Sequence, residues 1–328
     1  MHLTFRAMLP WLAALVVATA TGPLHAQAVD YPNKPVRVLI GFPPGQATDT
    51  LGRAIAQKLQ EAWGQQFVVD NKPGASGSIA TQLAMQATPD GYTLLVSSSG
   101  VLAVNPWLFT KLAYDPVKDF IPVAGIGIVP LVLVTNNQFP PASVKDLVAA
   151  AKAQPGSINF ASSGIGITNH LVMAMFMAAS GASMTHVPYK GGPPALTDLM
   201  GGQVQVMFET SVATLPFIKQ GRLRALAVSS SERLSAAPEI PTVAEQGYPG
   251  FSGVPWIALM APIGTPQAIV NKLHTEVNRI LQLPATKDQF AAQGVQPMVM
   301  SQAELAAFIK GEIAKWGKAV KDSGAKAE

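Results

Sequence analysis

Five short stretches of this chain concentrate the residue types that can hold a small anion. They are residues 41–49, 74–78, 97–100, 162–168 and 189–192, all rich in glycine, serine, threonine or proline. Such loops present backbone N–H groups and hydroxyls at close spacing. A carboxylate or phosphate can be held there without a salt bridge. Any one of these loops is ordinary turn chemistry. All five follow hydrophobic runs that read as strands, so together they describe the rim of a shared cleft.

Single residues add to this picture. Phe42 and Tyr189 can pack on the carbon skeleton of a ligand. Glu209 follows the strand-like run Val204-Gln-Val-Met-Phe208 and can receive a ligand hydroxyl, amide or ammonium. His170 stands in the first turn of a helix beside one of the loops and is a candidate contact. Arg53 and Lys190 are the basic residues closest to the loops. Arg53, one turn into its helix, either pairs with Asp49 or stays solvated.

Catalytic signatures are weak. Gly74-Ala-Ser-Gly-Ser78 departs from the hydrolase pattern G-x-S-x-G at its last position. No glycine loop carries the Lys-Ser/Thr of a phosphate-binding P-loop. No G-x-G-x-x-G follows the first strand. His170, His186 and His274 share no metal-ligand spacing, and the chain contains no cysteine. No metal, cofactor or catalytic residue is expected. A secreted hydrolase using a cleft serine, Ser163 or Ser76 with His170 as base, is the enzymatic alternative.

The elements that would position these loops follow from periodicity. Val36 to Ile40 reads as a strand that stops at Gly41. Leu51, Ala54, Ile55, Leu59 and Ala62 mark a helix that Thr48 or Asp49 can cap, with Gly64 as its stop. Phe67 to Asp70 and Thr93 to Ser97 are further strands, with a helix from about Ser78 between them. Residues 121–135 read as two extended segments that leave one domain and start another. Ser143 caps the next helix. Ile158 to Ala161, Met184 to Val187, Val204 to Phe208 and Leu223 to Val228 then repeat the logic of strand, polar loop and helix, with Thr168 as a helix cap. Val254 to Met260 is a strand that can return to the first domain. Ser301 and Glu304 form a capping box before the last helix. The expected organisation is a leader over residues 1–26, one lobe from 27–124 with 252–328, and a second from 125–251. Two connections between two α/β lobes make a hinge the economical arrangement.

Length and composition agree. The 328 residues are 48% hydrophobic and 13% charged, with a formal charge of +4. No basic stripe with interleaved aromatics is present, so nucleic acid is not an expected partner. His2 and Arg6, the apolar run from Met8, and Leu24-His-Ala26 have the form of a cleaved export signal. The mature chain is therefore expected to be exported, soluble and monomeric.

The order and spacing of several motifs are more specific. They include Tyr31-Pro-x-Lys-Pro, Gly41-Phe-Pro-Pro-Gly, Asn71-Lys-Pro-Gly-Ala, Pro89-Asp-Gly-Tyr-Thr-Leu, Asp119-Phe-x-Pro-Val, Val187-Pro-Tyr-Lys-Gly, Gly201-Gly-Gln-Val and Pro241-Thr-Val-Ala-Glu. With these the mature chain resembles the Bug family, the periplasmic solute-binding receptors of tripartite tricarboxylate transporters. The resemblance implies an α/β, two-lobed periplasmic binding protein fold, type II-like, with hinged lobes around a central cleft. It implies a small organic acid or related metabolite as ligand and a two-component membrane permease as partner. A sensor-linked receptor would have the same cleft.

Carried onto this chain, the first-lobe ligand contacts are Gly41, Phe42, Gln46, Ala47, Asp49, Ser76 and Gly77, to which the loop at residues 97–100 adds Ser98. The second lobe adds Ala161, Ser163, Gly164, Thr168 and Tyr189, with His170 a candidate by its position alone. Glu209 occupies an acidic position usually filled by Asp. One departure stands out: the family pattern is Pro-Pro-Gly-Gly, and this chain has Gln46 at the second glycine. A glutamine there is strained if the position needs φ > 0; otherwise its side chain projects into the mouth.

Overall fold

The computed structural model describes residue 2 and residues 30–323. The leader expected over residues 1–26 lies, residue 2 aside, outside the described residues. In chain order the first elements are β1 (Val36–Ile40), α1 (Ala47–Trp63), β2 (Phe67–Asn71), α2 (Ser78–Met85), β3 (Thr93–Ser98), α3 (Asn105–Leu108) and β4 (Phe120–Ile128). Next come β5 (Leu131–Asn136), α4 (Val144–Ala153), β6 (Asn159–Ser162), α5 (Thr168–Ser180), β7 (Thr185–Pro188), α6 (Gly192–Met200), β8 (Val206–Thr210), α7 (Ser211–Lys219) and β9 (Leu223–Val228). The chain closes with β10 (Trp256–Pro262), α8 (Gln267–Gln282), α9 (Pro284–Ala292), β11 (Gln296–Pro297) and α10 (Gln302–Ser323).

Two sheets result, each the centre of one lobe. The first has the order β11-β4-β10-β3-β1-β2 and the second β7-β6-β8-β5-β9. β1 pairs in parallel with β2 and β3, and β6 with β7 and β8. One reversed strand then follows in each sheet: β10 beside β3, and β5 beside β8. β10 and β5 are each the strand that arrives from the other sheet, while the short β11 at the edge of the first sheet also runs against its neighbour β4. The chain crosses at residues 129–130 and returns through 229–255. This is the type II arrangement. β4 stays in the first sheet through Ile128, so the expected boundary after residue 124 falls inside a strand.

The core follows from burial on both sheet faces. Val36, Val38, Leu39 and Ile40 of β1 are buried, as are all residues of β5 and β10. Leu51, Ile55 and Leu59 line one face of α1 and are buried against the sheet; each contributes about 1.5–3 kcal/mol. Gly52 lets α1 sit close, because a Cβ there would lie 2.7 Å from the Ile40 side chain. Gly64 ends the helix at φ 68° with its N–H on the Gln60 carbonyl.

Ser143 caps α4 by accepting the Asp146 N–H, and Ser301 and Glu304 form the expected capping box. Two other caps differ. Gln46 is the N-cap of α1, with Thr48 and Asp49 inside its first turn. Ile167 is the N-cap of α5, with Thr168 as its first residue.

The two crossings lie side by side. The Val129 N–H donates to Pro255 O, and Ser229 ties both strands by accepting from Leu131 N and donating to Gly253 O. Beside them, the buried Glu312 of α10 accepts the indole N–H groups of Trp256 and Trp316 through one oxygen, Oε2, at 2.9 and 2.8 Å. A cavity of about 730 Å³, its opening included, lies here between Pro130, Ser230, Ser252, Trp256 and Glu312. Among the described residues no helix is long and apolar enough to cross a membrane.

Candidate ligand-binding cleft

The strand ends of the two sheets face each other across a cleft with two compartments. The inner chamber, about 440 Å³ with its opening, takes Phe42, Gln46, Ala47, Thr48 and Ser98 from the first lobe. From the second it takes Ser163, Ile167, Thr168, Asn169, Glu209 and Thr210. Val129, Leu131, Pro255 and Ile257, at or beside the crossings, complete its lining. The outer compartment, about 920 Å³, is bounded by Gly41, Pro43, residues 73–77, Gly164, Tyr189, Lys190 and Gly191. Phe42, Ser163 and Ile167 line both and form the partition.

The first mouth loop is held by a carboxylate behind it. Gly45 turns at φ 84°, and its N–H donates to Asp49 Oδ2 at 2.9 Å. Asp49 Oδ1 accepts from Arg53 Nε at 2.9 Å and from Asn71 Nδ2 at 2.8 Å, and Asn71 also donates to Phe42 O. Burial alone would raise the Asp49 carboxyl. Arg53, the Gly45 N–H and Asn71 outweigh it and hold the group below the ordinary range. Asp49 lies outside the lining of both compartments; its part is to shape the loop.

Gln46 has φ −79° and ψ 155°, so the position needs no glycine. The positive φ belongs to its neighbour Gly45. The Gln46 side chain instead turns into the inner chamber. It is 8% exposed, and its Oε1 has no hydrogen-bond partner.

The second mouth loop packs on the first glycine to glycine. A Cβ on Gly41 would lie 2.7 Å from Gly77 Cα and O. Residues 74–77 all have positive φ, Ala75 and Ser76 at 45° and 51° among them. Asn105 pins this loop by donating to Ser76 O. Ser76 Oγ then reaches across the mouth to Ile165 O at 3.3 Å. Behind Ser98, Ser99 Oγ lies 3.2 Å from Thr168 Oγ1, another contact between lobes.

The first turns of α1, from the first lobe, and of α5, from the second, both border the inner chamber, and first-turn N–H groups have no partner within their own helix. Anions are favoured there. Glu209, the last residue but one of β8, is fully buried, 1% exposed. Its Oε1 accepts from Thr210 N at 2.7 Å, and its Oε2 from Ser163 Oγ at 2.9 Å and Asn169 Nδ2 at 3.3 Å. Burial pushes this carboxyl above its ordinary value, and the donors from Thr210, Ser163 and Asn169 oppose the shift.

Of the expected residues, Phe42, Gln46, Ala47, Ser98, Ser163, Thr168 and Glu209 meet in the inner chamber. Gly41, Ser76, Gly77, Gly164 and Tyr189 line the outer one. Asp49, Ala161 and His170 line neither. Ala161 is packed in the core of the second lobe. His170 turns behind its loop: Nδ1 accepts the Gly166 N–H at 3.1 Å, and the ring stacks on His186 at 4.0 Å. Burial lowers both imidazoles to about 4, the His170 charge adding to the effect on His186.

The sequence reading included Thr48 only as part of the first loop and missed Asn169 and Thr210, each one residue from an expected contact and carrying no separate signal. It also missed the apolar lining at the crossings, which only the strand order reveals.

Comparison with known proteins agrees with this geometry. The model of the tripartite tricarboxylate transporter family receptor matches residues 51–325. Protein BugT of Bordetella pertussis is 42% identical over 313 residues, covering 95% of this chain and 96% of that protein. A solved R. palustris protein with adipate has a TM-score of 0.89 and 35% identity, covering 90% of this chain and 99% of its own. MatC from Rhodopseudomonas palustris with bound malate has a TM-score of 0.82 and 33% identity, covering 88% of this chain and 100% of its own. Two interlocked sheets, a cleft of small-residue loops and matches along nearly the whole chain lead to one conclusion: this protein belongs to the tripartite tricarboxylate transporter receptors, the Bug family.

Proposed function

We propose that this protein is a periplasmic receptor. It captures a small carboxylate-bearing solute in the inner chamber and delivers it, without chemical change, to a two-component membrane permease. The observation that carries the reading is the chamber itself. Helix N-termini from both lobes border a space whose polar lining is hydroxyls, amides and one acid. Adipate and malate in the two related structures support a carboxylate ligand. The lobes divide at the crossings, residues 129–130 and 229–255, and closure about them buries the solute.

The hydrolase reading finds little support. The Ser163 hydroxyl is committed to Glu209 and Asn169. The Ser162–His186 pair, at 2.6 Å, lies beneath the loop, and the Ser162 hydroxyl donates to Gly164 O.

The test is a thermal-shift screen of residues 27–328 against organic acids, amino acids and neutral metabolites, with mass analysis of recovered ligand. A ligand at 100 times its Kd adds about 2.7 kcal/mol to the folded state. A rise in Tm with a carboxylate recovered intact is expected. No rise with any carboxylate, or a ligand recovered altered, would sink the reading.

A further inference from the structure

We propose that Gln46 limits the length of the solute. Its side chain narrows the passage from the inner chamber to the outer compartment, so the receptor selects short acids over their longer homologues. This deepens the receptor reading and rests on it.

Gln46 holds the N-cap position of α1, where a side-chain oxygen ordinarily accepts an N–H of the first turn. Its side chain makes no such bond. The backbone is tied on both sides: the Gln46 N–H donates to Pro43 O at 3.4 Å, and Gln46 O accepts the Thr50 N–H at 2.9 Å. The side chain lines the inner chamber and is 8% exposed. Its Oε1 is covered and has no partner, and a covered acceptor without a donor costs stability. The carboxamide therefore serves neither the helix nor the loop. What it contributes is bulk.

That bulk lies at a seam between the lobes. Oε1 is 3.9 Å from the position of a Cβ on Gly191, and Pro43 Cγ is 3.0 Å from the same point. Pro43 and Gly191 border the outer compartment, and Gln46 the inner one. The Gly191 N–H donates to Ser163 O at 3.0 Å, and Ser163 belongs to the partition. Gln46 thus extends the partition of Phe42, Ser163 and Ile167 on the side of residues 189–192. Pro43 and Gln46 come from the first lobe and Gly191 from the second, so closure completes the narrowing.

Toward the crossings the chamber has no give. Val129, Leu131, Pro255 and Ile257 line it there, and all four are buried. Leu131 lies in β5 and Ile257 in β10, each flanked by strands on both sides. A packed wall of this kind admits extra methylenes only with strain. A longer solute then presses on Gln46 or holds the lobes apart.

The experiment is calorimetric titration of residues 27–328 with unbranched acids of increasing length: succinate, adipate and suberate, and butyrate, hexanoate and octanoate. In at least one series the native protein should bind the shortest member about 10-fold or more tighter than the longest. Gln46→Ala should raise affinity for the longest member about 10-fold or more and change the shortest by less than about 3-fold. The backbone angles at this position suit alanine and no side-chain hydrogen bond is lost, so the variant keeps the fold. Gln46→Met keeps the length of the side chain without its amide and should keep the native preference. Equal affinity along both series, or an unchanged length preference in Gln46→Ala, overturns the inference and leaves the receptor reading standing. Gln46→Met behaving as Gln46→Ala also overturns it, since the amide and not the bulk would then select. Binding of no acid to the folded protein overturns both.

Discussion

Asp49 collects three donors from three places: a loop glycine, its own helix and the end of β2. Asp49→Ala removes the acceptor shared by the Gly45 N–H, Arg53 and Asn71. The expected cost is about 1–3 kcal/mol of stability, read by urea unfolding, with weaker ligand binding because the mouth loop loosens. Asp49→Asn should recover part of both. Because the folded carboxyl lies below its unfolded value, its contribution is present above about pH 4 and is lost as pH falls through the lower folded value. Asp49 was visible in the sequence as a residue of the loop, and its pairing with Arg53 followed from their spacing. Its orientation was not visible, because a residue in the first turn of a helix can face the ligand or the strand behind. Gln46 shows the converse. Its departure from the family glycine was plain, while its backbone angles and the direction of its side chain required the structure.

At the scale of elements, α5 and β7 bring His170 and His186 into a stack beneath residues 162–166, a loop of the cleft. The Gly166 N–H needs a neutral Nδ1 on His170. Both rings ionise near 4 in the fold and near 6.5 when unfolded. Between these values the unfolded chain binds more protons, so stability falls as pH drops from 6.5 toward 4. The slope is up to about 1.4 kcal/mol per pH unit for each ring. A series of Tm values across this range checks it, and His170→Gln with His186→Gln should flatten the curve. An equally steep curve in the double variant would place the acid sensitivity elsewhere. Elements with strong periodicity, such as α1, α4 and α10, were legible, with the stop of α1 at Gly64 and the start of α10 at Ser301. α9 was not, because its buried residues, Thr286 and Phe290, are too few to make a periodic signal. His170 stands where the sequence placed it, in a first turn beside a loop, and the direction of its ring, set by the Gly166 N–H and the His186 stack, required the structure.

For the whole molecule, the lobes meet where side chains are missing. Gly166, at φ 72°, faces Leu108 of the first lobe so closely that a Cβ would lie 1.8 Å from Leu108 Cδ2. Gly166→Ala should hold the lobes apart. Affinity should fall about 10-fold or more, and small-angle scattering should show no contraction on adding ligand. Normal contraction in the variant would remove this contact from the closing surface. The two lobes were legible because strand, polar loop and helix recur in both halves. The interlocking of the sheets was not, since strand order depends on pairing far along the chain. That interlocking leaves Trp256 where the chain re-enters the first sheet, sharing Glu312 with Trp316 beside a polar cavity at both crossings. An indole emits according to the field and water around it, and bending at the crossings alters both at Trp256. The protein therefore carries its own optical gauge of lobe position, readable without any attached dye.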